Sequence, residues 1–226
     1  MAAMKLTAEQ EAVRETLPTD HGSGLAGRPT SADRTEAPIL LSPVPSSVSD
    51  YDAIVYDLDG TLVDLAVDWD AVAVDVREVY DAANVEPPGE GLWAMLEGAA
   101  EAGLHEAVEA AIASHEHEGA RASERLAHAD ELLERSLPAG VCSLNCERAC
   151  RLALEEHALS AAVDAVVGRD TVGTWKPEPE PLLATARRLE VEPEQALFVG
   201  DSERDYRTAE RAGMDFEYVG GRPSGV

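Results

Sequence analysis

Apolar and polar positions along this chain fall into two regimes, and the change comes at residue 50. Residues 1–49 allow one short helix around Ala8–Leu17, followed by a stretch rich in Gly, Pro, Ser and Thr with little to bury. They read as a disordered or poorly ordered N-terminal extension, or as the product of too early a start codon. From Tyr51 the pattern tightens. Ala53-Ile54-Val55-Tyr56 is a short β-branched and aromatic run suited to a buried parallel strand, and it stops at Asp57. Residues 67–136 carry helical spacing instead, over Trp69–Ala83, Gly91–Ala102 and a long Ala- and Glu-rich stretch from Leu104 to Leu137. Strand signals return at Val141-Cys142, Ala165–Val167, Ala196–Val199 and Phe216–Val219, with helical segments at Glu147–His157, Glu180–Leu189 and Glu203–Ala212 between them. Strands alternating with helices predict an α/β domain with a doubly wound parallel sheet and right-handed crossovers. The core is expected over 50–66 and 137–226, interrupted by an α-helical insert over 67–136. Ligands of such sheets bind beyond the carboxyl ends of the strands.

Length and charge narrow the partners. The 226 residues suit one buried α/β domain plus a small inserted module. No run approaches the roughly 20 apolar residues of a membrane-spanning helix, and the first residues lack the basic start and apolar centre of a secretory signal. A cytoplasmic protein that binds neither membrane nor nucleic acid is expected, the latter because 44 acids against 18 bases leave a net charge of −26. Only Lys5 and Lys176 are lysines. A surface this acidic repels itself at low ionic strength, whereas molar salt shortens the screening length to roughly 3 Å, so a salt-rich, halophilic cytoplasm accounts for the composition. Cys142, Cys146 and Cys150 recur every fourth residue, which on a helix places them on one face; odd in number and without histidine pairing, they read as small buried hydrophobes.

The candidate chemistry lies at the predicted strand ends. Asp57-Leu58-Asp59-Gly60-Thr61 sets two carboxylates two residues apart at the exit of the first strand, and Gly200-Asp201-Ser202-Glu203-Arg204-Asp205 brings more to the same sheet edge. Converging carboxylates call for a cation, and hard oxygen ligands favour Mg²⁺. Taken in order, these segments resemble the haloacid dehalogenase-like superfamily. Asp57–Thr61 matches its DxDGT motif, and Ser143 after Gly140-Val141-Cys142 matches its Ser/Thr motif. Lys176-Pro177-Glu178-Pro179 resembles the lysine motif, and Gly200-Asp201 with Asp205 the acidic one. The likeness spans residues 51–220 and implies a Rossmann-like core with a helical cap, similar to phosphoglycolate phosphatase-like members.

The resemblance implies a Mg²⁺-dependent phosphatase acting on a small phosphorylated metabolite, as a monomer or homodimer. Asp57 attacks phosphorus to form an aspartyl-phosphate, and Asp59 protonates the leaving oxygen and then activates water. Ser143 and Lys176, with Thr61 and Asn145, hold the phosphoryl group. The Asp57 carboxylate, the Asp59 carbonyl, Asp201 and Asp205 hold the metal. Alternatives are a phosphosugar mutase using the same intermediate and a non-catalytic phosphate-binding scaffold protein. Two departures stand out: Leu144 separates Ser143 from Asn145 where many relatives have Asn directly after the Ser/Thr, and Leu65 replaces a Ser or Thr common in sugar-phosphate relatives. Within the insert, His115-Glu116-His117 reads as a solvated helix rather than a metal site, since residues two apart do not share a helix face. Trp69 and Trp93 read as cap core. Arg77, Arg121, Arg125 and Arg135 are candidates for gripping an acidic substrate, or helix-face ion pairs.

Overall fold

A computed structural model describes residues 50–220, so the expected extension over 1–49 lies outside the described residues. Along the chain run β1 (Ala53–Tyr56), β2 (Val63–Asp64), α1 (Trp69–Ala82), α2 (Leu92–Gly98), α3 (His105–Arg121), β3 (Glu124–Arg125) and α4 (Ala127–Glu134). They are followed by β4 (Ala139–Cys142), α5 (Glu147–Glu156), β5 (Ala165–Val167), α6 (Glu180–Arg188), β6 (Ala196–Gly200), α7 (Glu203–Ala212) and β7 (Asp215–Tyr218). Five strands form one parallel sheet in the order β5-β4-β1-β6-β7. The chain builds outward from β1 on one side through β4 and β5, then on the other through β6 and β7. β1 therefore stands at the switch point, where a crevice opens beyond the carboxyl ends.

Side chains of successive strand residues point to opposite faces, and both faces are covered, as an α/β sheet requires. Ile54, Tyr56, Val141, Val166, Leu197 and Val199 pack with Ala149, Cys150, Ala153 and Leu154 of α5. Ala53, Val55, Cys142, Ala165 and Phe198 pack with Leu182 and Ala186 of α6 and Ala209 of α7. The apolar runs β1, β4, β5 and β6 are wholly buried, whereas the edge strand β7 alternates between exposed and half-buried positions. Among the described residues no helix is long and apolar enough to cross a membrane.

Helices α1 to α3 own a separate core. Val72, Val76 and Tyr80 recur every fourth residue on α1 and meet Met95 and Leu96 of α2 and Val108 and Ile112 of α3. The Tyr80 hydroxyl donates to the Met95 carbonyl at 2.6 Å, so its buried end is satisfied. Asp68 starts α1 by accepting the N–H groups of Asp70 and Ala71, each at 3.2 Å.

The long helix expected from Leu104 to Leu137 is two helices. After Arg121 the chain reverses, and β3 pairs antiparallel with β2, Val63 opposite Arg125 and Asp64 opposite Glu124. Ser123 donates its hydroxyl to the Ala120 carbonyl at 2.7 Å, and the Leu126 N–H goes to Leu62 at 3.0 Å. Ala and Glu favour helix on both sides of the break, so only this pairing with a distant segment marks it. α4 then packs Ala129 and Leu132 into the sheet-side cluster containing Tyr56 and Leu58. The three cysteines are free and buried, as expected, but do not share a helix face: Cys142 ends β4, Cys146 caps α5 and only Cys150 lies within it.

Candidate active site

Asp57 leaves β1 with its N–H donated to the Val199 carbonyl of β6 at 2.8 Å, which places it between two strand ends. Its carboxylate is buried against Lys176, whose Nζ lies 2.9 Å from Asp57 Oδ1 and 2.5 Å from Asp205 Oδ1. Only the Asp205 contact has the alignment of a hydrogen bond, and Asp57 Oδ1 has no hydrogen-bond partner among the described residues. Lys176, 2% exposed, also lies 5.6 Å from the centre of the Phe198 ring. Burial alone would lower its pKa, but Asp205 and Asp57 outweigh that and hold the ammonium firmly protonated. For Asp57 burial wins over the attraction of Lys176, and with Asp205 and Asp201 nearby its carboxyl is pushed up to about 8. One ammonium shared by two carboxylates cannot compensate both.

Asp205 serves the fold and the site at once. Its Oδ2 accepts the N–H and hydroxyl of Ser202 while Ser202 accepts the Asp205 N–H, a reciprocal cap that starts α7. Its Oδ1 remains for Lys176. Oxygens of Asp57, Asp201 and Asp205 all lie within 4.8 Å of one another. With Lys176 the ionised set leaves two negative charges uncompensated, and all three donors are hard oxygens, so the residues fit a small divalent cation such as Mg²⁺. The turn after Asp57 is shaped for this convergence. Gly60 has φ +82°, and a Cβ there would stand 2.3 Å from Asp201 Oδ2, so glycine is required twice over.

The other expected residues gather around the same edge. Asp59 Oδ1 accepts the Leu65 N–H at 2.8 Å; burial nevertheless pushes its carboxyl up to about 7, against that bond and with help from Asp64 and Asp201. Thr61 is fully buried, and its hydroxyl has no partner among the described residues. Ser143 follows β4 and donates its hydroxyl to Asn145 Oδ1 at 3.0 Å, while the Asn145 N–H donates back to Ser143 Oγ at 3.2 Å. Asn145 thus precedes α5 and is tied to Ser143 despite the intervening Leu144.

Glu116 corrects the expectation of a solvated His115-Glu116-His117 segment: it is fully buried. Val108, Ile112 and Glu116 form one stripe every fourth residue along α3, a signal legible in the spacing. Glu116 Oε1 lies 2.6 Å from Nη1 of Arg169, itself 2% exposed, and Glu109 of α3 takes a second arm at 2.8 Å. His115 pairs with Asp75 and His117 faces Cys146, so the two histidines do not converge. The candidate cap arginines have local partners: Arg77 the Glu90 carbonyl, Arg121 the His117 carbonyl, Arg125 Asp130 and Arg135 Glu131. Besides Arg169, Arg204, next to Asp205, meets the insert, its guanidinium 5.0 Å from the centre of the Trp93 ring. Trp93 is half-buried, packed against the α1–α3 core as expected, as is Trp69, and its ring also meets Arg204. A cleft of about 240 Å³ is lined by Glu97 of α2 and by Gly173, Thr174, Trp175, Pro177 and Glu178, the neighbours of Lys176 in sequence.

The family pattern for haloacid dehalogenase-like hydrolases matches residues 54–219. The chain belongs to that family. It is 34% identical over 184 residues to phosphoglycolate phosphatase of Rhodospirillum rubrum, covering 72% of this chain and 76% of that one. With phosphoglycolate phosphatase of Aquifex aeolicus it shares 32% identity over 172 residues, 71% of this chain and 80% of the relative. A solved hydrolase of the same superfamily from Geobacter sulfurreducens superposes with a TM-score of 0.51 at 25% identity, covering 74% of this chain and 88% of that one. The α/β fold and hydrolase class expected from the four motifs are met.

Proposed function

We propose that this hydrolase is a Mg²⁺-dependent phosphatase that cleaves a small-molecule phosphomonoester through an aspartyl-phosphate on Asp57. The observation that carries this reading is the buried Asp57 carboxylate, whose Oδ1 receives no aligned hydrogen bond among the described residues and lies beside a lysine it must share with Asp205. An anionic nucleophile and an anionic phosphate repel unless positive charge offsets both. Lys176 supplies part of that charge directly to the transferred group. Asp57, Asp201 and Asp205 would hold a divalent ion, which when bound would supply the remaining positive charge. The Thr61 hydroxyl, which has no partner among the described residues, donates to the phosphoryl oxygens, and the Ser143 hydroxyl joins it by turning its proton from Asn145 Oδ1 to the bound phosphoryl group.

Asp59 suits the proton work. Its carboxyl, raised to about 7, is available in both forms near neutral pH, and the Leu65 N–H fixes one oxygen so that the other handles the proton. Protonated, it gives the proton to the departing alcohol; ionised, it takes one from the water that attacks the phosphorylated Asp57.

Residues 67–136 act as a cap that selects substrate, in a protein working in the cytoplasm on free metabolites, as a monomer or homodimer and without nucleic acid. The cleft lined by Glu97 of the insert and by residues on either side of Lys176 supports this, since it joins the insert to the loop that carries that lysine. The phosphoglycolate phosphatases among the relatives favour a short phosphorylated acid as substrate. Free phosphate released from members of a phosphomonoester panel, dependent on Mg²⁺ and without a bisphosphate activator, is the expected result. Isomerisation of a phosphosugar that depends on added bisphosphate, with no net release of phosphate, would make the enzyme a mutase, and neither release nor isomerisation with any ester would overturn the proposal.

A further inference from the structure

The loop that carries Ser143 is held at every residue from 143 to 146, and part of the grip comes from the insert. Arg169 Nη1 donates to the Leu144 carbonyl at 2.7 Å, and the Arg169 N–H to the Asn145 carbonyl at 2.9 Å. The Cys146 N–H donates to Glu116 Oε2 at 3.0 Å, and Asn145 Nδ2 to Glu116 Oε1 at 3.4 Å. On the far side Gly168 leaves no room for a side chain: a Cβ would stand 2.2 Å from the Glu147 nitrogen and 2.7 Å from the Asn145 carbonyl oxygen. Glu116 is the hub, receiving N–H groups from Asn145, Cys146 and both terminal nitrogens of Arg169. A carboxylate offers about four acceptor positions and no donor, so this demand uses it fully.

Acceptor-only character has a consequence two bonds away. Because Glu116 can only accept, the Asn145 amide must turn its NH₂ toward it, which leaves Asn145 Oδ1 facing Ser143 Oγ. We infer that Glu116, on helix α3 of the insert, is a positioning residue for Ser143, acting through Asn145 and Cys146 and itself fixed by Arg169. The insert thereby helps to build the phosphate site as well as covering it. This rests on the reading of Ser143 as a phosphate-holding hydroxyl.

The test is a double-mutant cycle on the full chain with Mg²⁺, reading the dissociation constant of inorganic phosphate by calorimetry, kcat and KM with p-nitrophenyl phosphate, and Tm. Ser143→Ala should weaken phosphate binding about tenfold or more, the effect of losing one hydrogen bond to a charged group. Glu116→Gln keeps the shape but introduces a donor against Asn145 or Cys146, and should weaken phosphate to a similar degree. Adding Ser143→Ala to it should then cost less than about twofold more, the non-additivity of residues acting as a unit. Glu116→Asp keeps the charge opposite Arg169 and withdraws it from the loop by one methylene. It should hold a Tm near that of wild type and still bind phosphate weakly, which a purely structural role would not produce. Phosphate affinity unchanged in Glu116→Asp, or independent multiplicative losses in the cycle, overturns the inference while leaving the phosphatase reading intact. A wild-type chain that neither binds inorganic phosphate nor hydrolyses any ester overturns both.

Discussion

Replacing Arg169 by methionine isolates the energetic weight of the buried charges that join the insert to the core. The Arg169 side chain is 1% exposed, Glu116 is 0% and Glu109 18% exposed, so the substitution strands one carboxylate without solvent and a second with little. It also orphans the Leu144 carbonyl. Breaking a buried pair by removing one partner costs about 3–5 kcal/mol, because the remaining ion has lost both water and its counter-charge. For a domain of this size each kcal/mol moves the midpoint by about 2–4 °C, so Tm should fall by roughly 6–20 °C. Thermal unfolding followed by circular dichroism reads this directly. Glu116→Gln added to Arg169→Met removes the stranded charge and should recover part of the loss. Molar KCl should not, since mobile ions screen buried charges poorly. A midpoint for Arg169→Met within about 2 °C of wild type would refute the reasoning, by showing that the interior around Glu116 is already hydrated.

Metal and proton should compete at the carboxylate cluster. Burial raises Asp57 to about 8 and Asp59 to about 7, so in metal-free protein their contribution to stability is present below the ordinary carboxylate value of about 4 and is lost as pH rises through that window. The rise in Tm caused by Mg²⁺ should accordingly be larger at about pH 8.5 than at about pH 5.5; an equal rise at both would contradict it. Gly60→Ala should destabilise by about 1 kcal/mol or more and cut kcat/KM at least about tenfold, through its positive φ and the close approach of Asp201. Gly91→Ala, with open space around it but at the start of α2, is the control expected to leave kcat/KM unchanged and to cost less than about 1 kcal/mol of stability. With a net charge of −26, Tm should rise between dilute buffer and molar KCl, and a flat response would show that surface repulsion is not limiting.

The candidate site was legible in the sequence because its convergence depends on local order. A β-branched run ending in Asp57, and another ending at Gly200-Asp201, fix both the strand and the side chain at its exit, and parallel pairing then brings Asp57, Lys176, Asp201 and Asp205 together. What escaped depends on contacts between distant segments. The break after Arg121 is set by pairing of β3 with β2, which the Ala- and Glu-rich composition does not mark. Glu116 could have been read from its place in the Val108–Ile112 stripe, but a charged residue between two histidines argues for a solvated face until Arg169, far along the chain, is seen opposite it. Arg204 was similarly hidden, since its meeting with Trp93 depends on how the insert lies against α7.

The claim on which the account rests most heavily is that Asp57 becomes covalently phosphorylated. Acid-quenching the Mg²⁺-loaded enzyme during turnover of a good substrate, then mapping its peptides by mass spectrometry, should find one phosphoryl group on the peptide containing Asp57. In the Asp57→Asn variant, folded to a Tm close to wild type, the adduct and phosphate release should both vanish. Phosphate release by Asp57→Asn at the wild-type rate, or a phosphoryl group trapped on a different residue, would contradict the account.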